Sequence, residues 1–245
     1  MRKYIYFLAI GCSLCLFGCD KESNEIDVLI ENPIEPESPI DIEENSDFIY
    51  KLLSLGDSYT IGESVCTTCR FPEQLKSKIE ENSNATVNLK IIARTGWTTT
   101  DLKSNINLSL ATDYDFVTLL IGVNNQFQGI DFEVYKQEFP ELVHIAIKAA
   151  KGNINNLVVV SIPDYAFTPF GGGDVTITKE IEKYNQFAKA YCLNNNIEFL
   201  NITDITQQGF SQPSLVASDG LHPSELAYQK VIERLYPLFL QKVTN

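Results

Sequence analysis

Histidine is scarce in this chain, with two in 245 residues, and there are six cysteines. No group of Cys and His has the spacing of a metal site, so neither a metal nor a cofactor is expected. Cationic charge is also in short supply: 19 Lys and Arg stand against 32 Asp and Glu, a formal net charge of −13. An acidic chain with no basic patch is not expected to bind nucleic acid. Nor does any apolar run reach the roughly 20 residues of a comfortable membrane span.

The acidity is unevenly placed. Met1-Arg2-Lys3 is followed by an apolar run from Tyr4 to Phe17, the pattern of a secretory signal. Leu16-Phe17-Gly18-Cys19 resembles a bacterial lipobox, which implies a signal peptide over 1–18 and a lipid on Cys19. Such a protein is expected to be exported and membrane-anchored, at the outer membrane or cell surface. Between residues 20 and 47 lie 11 acidic residues and one Lys, with Pro33, Pro36 and Pro39 spaced through them. That composition cannot bury enough apolar surface to offset the entropy of ordering, so 19–47 reads as a disordered acidic tether. Residues 48–245 keep 21 acidic and 16 basic residues, the balance of an ordinary single domain. Cys12 and Cys15 leave with the signal; Cys66 and Cys69 can pair across their short loop in an oxidising compartment.

Within 48–245, strand-like and helix-like segments alternate. Strands are expected at Tyr50–Leu55, Val87–Ala93, Phe116–Ile121, Leu157–Ile162 and Ile197–Leu200. Helices are expected at Phe71–Asn82, Thr100–Leu110, Phe132–Ala150, Thr176–Asn194 and Ser224–Lys242. Repeated β-α-β units with apolar, β-branched strands predict an α/β fold, a parallel five-stranded sheet covered by helices on both faces. Such sheets bind ligands beyond the carboxyl ends of their strands. Ser58, Gly96 and Asn124 fall just after the first three strands, and Asp219 and His222 lie between the last strand and the closing helix.

A serine hydroxyl is a weak nucleophile until a base takes its proton, and the base needs a carboxylate to fix its tautomer. His144, in the middle of a helix, reads as a surface or satisfied core residue. His222 follows Asp219 by three residues in a turn, and Pro223 suits a first helical position. Gly56-Asp57-Ser58 with Tyr59-Thr60-Ile61-Gly62, Arg94-Thr95-Gly96-Trp97-Thr98, Gly122-Val123-Asn124-Asn125 and Asp219-Gly220-Leu221-His222-Pro223 resemble, in order, the four blocks of the SGNH (GDSL-like) hydrolases. The resemblance implies a three-layer, flavodoxin-like fold and a serine esterase. It makes Ser58 the nucleophile, His222 the base and Asp219 its partner. The oxyanion donors are then the backbone N–H groups of Ser58 and Gly96 and the side-chain amide of Asn124. A side chain at position 96 would obstruct the substrate. The third block departs from the family's frequent Gly-x-Asn-Asp, because Asn125 replaces the acid.

Asp57, although beside Ser58, is expected to accept backbone hydrogen bonds that hold the turn. Tyr59, Trp97, Phe127, Tyr165, Phe167, Phe170 and Phe210 fall in or near the loops of the active edge, where some line a pocket and others pack. Gly171-Gly172-Gly173 reads as a mobile loop that could belong to a lid. Small-molecule or glycan esters are the expected substrates, short acyl chains foremost. Three other readings are open: a thiol–disulfide protein built on Cys66-Thr67-Thr68-Cys69, a catalytically silent surface module for glycan or lipid, and an acyltransferase using the same acyl-enzyme.

Overall fold

The computed structural model describes residues 48–106 and 110–243. The expected signal, the lipid-bearing Cys19 and the tether to residue 47 lie outside them. Five strands form one sheet: β1 (Ile49–Gly56), β2 (Thr86–Ala93), β3 (Phe116–Leu120), β4 (Leu157–Val160) and β5 (Glu198–Leu200). Eight α-helices accompany them among the described residues. These are α1 (Ser58–Ile61), α2 (Phe71–Glu81), α3 (Thr99–Asn105), α4 (Val123–Phe127), α5 (Phe132–Ala149), α6 (Val175–Asn194), α7 (Thr203–Thr206) and α8 (Glu225–Val243).

Every pairing is parallel, and the strand order is β2-β1-β3-β4-β5. This is the flavodoxin-like order, in which the chain reverses direction across the sheet between β1 and β3. Helices α2 and α8 pack together on one face, and α3, α5 and α6 cover the other. The interior strands β3 and β4 are buried along their whole length, as a sheet covered on both sides requires. Ser54 and Thr118 are the polar exceptions in the adjoining strands, and they satisfy each other: the Thr118 hydroxyl donates to Ser54 Oγ at 2.9 Å. The edge strand β2 instead begins with alternating exposed and covered residues.

The expected strands and long helices are all present, with shifted ends. The helix expected over 100–110 stops at Asn105, held at its start by a capping box between Thr98 and Asp101. Residues 107–109 fall outside the described set. The closing helix begins at Glu225, so Pro223 is not at its first position. Pro223 instead bridges Val216, and the hydroxyl of Ser224 accepts from the Ala227 N–H at 3.2 Å. The short helices α1, α4 and α7 lie outside the expected elements; one or two turns are too brief to print a 3.6-residue period.

Candidate active site

Ser58 starts α1 directly beyond the carboxyl end of β1. Asp57 caps that turn: its Oδ1 accepts from the Tyr59 N–H at 3.0 Å, as expected of it. The carboxyl is fully buried, and this burial pushes its pKa up to about 7 against the opposing pull of backbone hydrogen bonds. Gly62 closes α1 in the left-handed region, at φ 73°, and returns its N–H to the Ser58 carbonyl.

His222 comes from the loop before α8, 164 residues along the chain from Ser58. Its Nδ1 lies 2.6 Å from Asp219 Oδ2, while Asp219 Oδ1 accepts from the backbone N–H groups of Leu221 and His222 at 2.9 and 3.0 Å. A carboxylate oxygen can only accept, so the contact places the ring proton on Nδ1 and leaves Nε2 to act as a base. Burial works to raise the Asp219 pKa, but the hydrogen bonds from His222, Ser64 and the backbone outweigh it and hold the group well below the usual carboxylate range. Tyr59 packs against the imidazole, with ring centroids 5.0 Å apart, and Tyr228 steadies Tyr59 by donating to its carbonyl at 2.9 Å.

Gly96 occupies a turn after β2 in which the Trp97 N–H returns to the Arg94 carbonyl at 3.2 Å. Its φ of 83° supplies a reason for glycine that the sequence did not disclose. A Cβ there would meet no protein atom within 4 Å, so the position opens into free space. Gln128 donates to the Gly96 carbonyl at 2.9 Å and orients that peptide. Asn124, in α4 after β3, commits one amide N–H to the Trp97 carbonyl at 3.0 Å, which leaves the other available.

Ser58, Gly96, Asn124 and His222 line one cavity of about 180 Å³, with Tyr59, Thr95, Val123, Phe127, Tyr165 and Leu221. It lies where α/β sheets place ligands, at the reversal between β1 and β3. A wider groove of about 560 Å³ between α2 and α8 contains none of the expected site residues.

A model of the GDSL-like lipase/acylhydrolase family matches residues 54–230. The chain belongs to that family. Solved structures of similar fold include TesA, with a TM-score of 0.61 at 15% identity over 77% of this chain and 97% of that one. The esterase EstA from Pseudoalteromonas sp. gives 0.59 at 16% identity over 80% and 99%. Axe2, an acetylxylan esterase from Geobacillus stearothermophilus, gives 0.58 at 19% over 79% and 94%. At these identities the likeness is one of fold. By sequence the chain is 23% identical over 218 residues to an N-acylneuraminate cytidylyltransferase of Streptococcus agalactiae, covering 84% of this chain and 50% of that protein. The chain thus spans about half the length of the curated relatives it matches.

In this GDSL-family protein Asn125 is a structural clamp. Its Oδ1 accepts from the Thr99 N–H at 2.9 Å and its Nδ2 donates to the Thr99 hydroxyl at 2.7 Å, which passes its own proton to Glu138 Oε2 at 2.7 Å. Two residues near the site have no role that the sequence assigns. Ser64 donates to Asp219 Oδ2 at 2.7 Å, and Gln126 accepts from the Tyr165 hydroxyl at 2.9 Å. Ser64 belongs to no motif and no apolar period, and Gln126 directly follows the third block.

The aromatic expectations divide. Tyr59, Phe127 and Tyr165 line the cavity; Phe170 packs at a tilt beside Phe127 and Tyr165, with ring centroids 5.9 and 6.3 Å away; Phe167 and Phe210 pair with each other at 6.3 Å. Trp97 packs against the core and offers its carbonyl to Asn124. His144 is exposed on α5. Gly171–Gly173, expected to be a mobile loop, form a hydrogen-bonded turn. The three N–H groups donate to the Thr168 hydroxyl, the Thr168 carbonyl and the Ala166 carbonyl at 3.1, 2.9 and 2.8 Å, which makes a pinned turn. Cys66 and Cys69 are joined in a disulfide within a short surface turn, and buried Cys192 is free.

Proposed function

We propose that this protein is a serine hydrolase that cleaves carboxylic esters through an acyl-enzyme. The observation that carries the reading is the pairing of His222 with Asp219 at 2.6 Å beside a cavity that Ser58 and His222 both line. His222 Nε2 takes the Ser58 proton as Oγ adds to the ester carbonyl. The resulting imidazolium gives that proton to the leaving alcohol, and water repeats the sequence in reverse to free the acid. Negative charge appears on the carbonyl oxygen only in the tetrahedral states. Donors at Ser58, Gly96 and Asn124 therefore favour those states over bound substrate, each worth about 10²–10³ in rate.

The cavity supports short acyl groups, since about 180 Å³ is small beside the roughly 300–1,000 Å³ of drug-sized ligand sites. A sugar as the alcohol is supported by the name of one structurally similar protein, an acetylxylan esterase. Residues 1–19 support export and a lipid anchor on Cys19. The test is hydrolysis of p-nitrophenyl esters of increasing chain length, with acetylated xylan alongside, by wild type and Ser58→Ala. Acetyl and other short esters should turn over fastest, and Ser58→Ala should lose about 10³-fold or more in kcat. Equal rates for the two proteins would remove the nucleophile.

A further inference from the structure

The segment between α1 and the Cys66–Cys69 disulfide has no role in the reading above, yet it touches both halves of the site. Ser64 sends its hydroxyl proton to Asp219 Oδ2 at 2.7 Å, the same oxygen that receives Nδ1–H of His222 at 2.6 Å. One residue earlier, the Glu63 carboxylate accepts from the hydroxyl of Thr95, which adjoins Gly96. Ser64 holds a φ of 65°, one of three non-glycine residues with positive φ among those described. Most side chains avoid that region, and such strain persists only where the surroundings enforce it. At one end Gly62 and Glu63 both return their N–H groups to the Ser58 carbonyl at 3.0 Å; at the other the disulfide begins two residues on.

From this geometry we propose that Ser64 is a positioning residue, which fixes the Asp219 carboxylate and through it the imidazole of His222. The proposal rests on the esterase reading. Four donors surround the carboxylate: two backbone N–H groups on Oδ1, and Ser64 and His222 on Oδ2. The two on Oδ1 come from the same short loop as Asp219, so they leave that loop free to move as a body. Ser64 is the donor from elsewhere in the fold, 155 residues away. It ties the loop of the acid and base to the segment carrying the nucleophile, and Glu63 extends the tie to the Gly96 turn. Losing it leaves the groups present but less well aligned, a fault that lowers turnover more than binding.

Ser64→Gly tests this cleanly, because glycine suits a φ of 65° and lacks the hydroxyl; Ser64→Ala removes the same hydroxyl and keeps the strain. Both should lower kcat on a short p-nitrophenyl ester by about 3- to 10-fold with KM changed less than about twofold. Proton NMR supplies a second readout. With only two histidines in the chain, the downfield Nδ1–H resonance of His222 is readily assigned. It should shift and exchange faster with solvent in both variants. An unchanged kcat and resonance in Ser64→Gly would overturn the proposal. So would a loss confined to Ser64→Ala, which would assign the effect to the backbone. If wild type hydrolyses no ester, the esterase reading fails, and the resonance still decides whether Ser64 holds the Asp219–His222 pair.

Discussion

The carboxyl of Asp57 is wholly buried, with Oδ2 unpartnered among the described residues, while that of Asp219 collects four hydrogen bonds beside the imidazole. Their titrations therefore act on stability in opposite directions. Asp57 has its folded pKa raised to about 7, above an unfolded value of about 3.9, so the folded state holds its proton more tightly. Its contribution is complete below about pH 4 and is lost as pH rises toward 7. The lowered pKa of Asp219 does the reverse: its contribution is present above about pH 4 and lost on acidification. Asp57→Asn keeps an oxygen for the Tyr59 N–H and removes the titration. Urea unfolding at pH 5 and pH 7.5 should show wild type losing stability over that interval and the variant losing much less. Equal slopes would mean that Asp57 does not carry the titration.

Helices α3, α4 and α5 meet through a chain of donors and acceptors rather than through apolar contact alone. Asn125 of α4 grips the first residue of α3 by both ends of its amide, and Thr99 and Thr100 of α3 donate to Glu138 of α5 at 2.7 Å. Lys103 joins the same carboxylate at 3.0 Å. Burial tends to raise the Glu138 pKa, but hydrogen bonds from Thr99, Thr100 and Lys103 prevail and lower it. This network explains an amide where the family often has an acid. An aspartate at 125 could only accept, so two carboxylates would compete for the single Thr99 hydroxyl proton. Asn125→Asp should cost about 1–3 kcal/mol at neutral pH. Glu138→Gln in the same chain should restore much of it, since an amide at 138 no longer demands that proton. Thermal melts of the two variants check this; a neutral Asn125→Asp would show the network to be slack.

Across the full chain, charge and chemistry are partitioned. Eleven of the 32 acidic residues lie in 20–47, whereas every candidate catalytic residue lies between 58 and 222. The parallel sheet brings those distant positions together, because each crossover returns the chain to the same edge and every strand ends there. The proposed anchor should then be separable from turnover. Cys19→Ser should move the protein from the membrane fraction to the soluble one, with kcat on a short ester unchanged. Retention in the membrane fraction would remove the lipid from the account.

Alternating periodicity made the β-α order readable along the chain, because burial on a sheet or a helix face repeats every two or 3.6 residues. Ser58, Gly96, Asn124, Asp219 and His222 were marked by resemblance to the four family blocks, and their places after strands agreed with it. The strand order, the 180 Å³ of the cavity and the pinned turn at Gly171–Gly173 have no such local signature. Ser64 is an exposed serine in a loop, and Asn125 a turn-forming residue beside another, until folding sets the first against Asp219 and the second against Thr99. Those contacts span 155 and 26 residues, and a linear pattern reports which face a residue turns but not what it meets there.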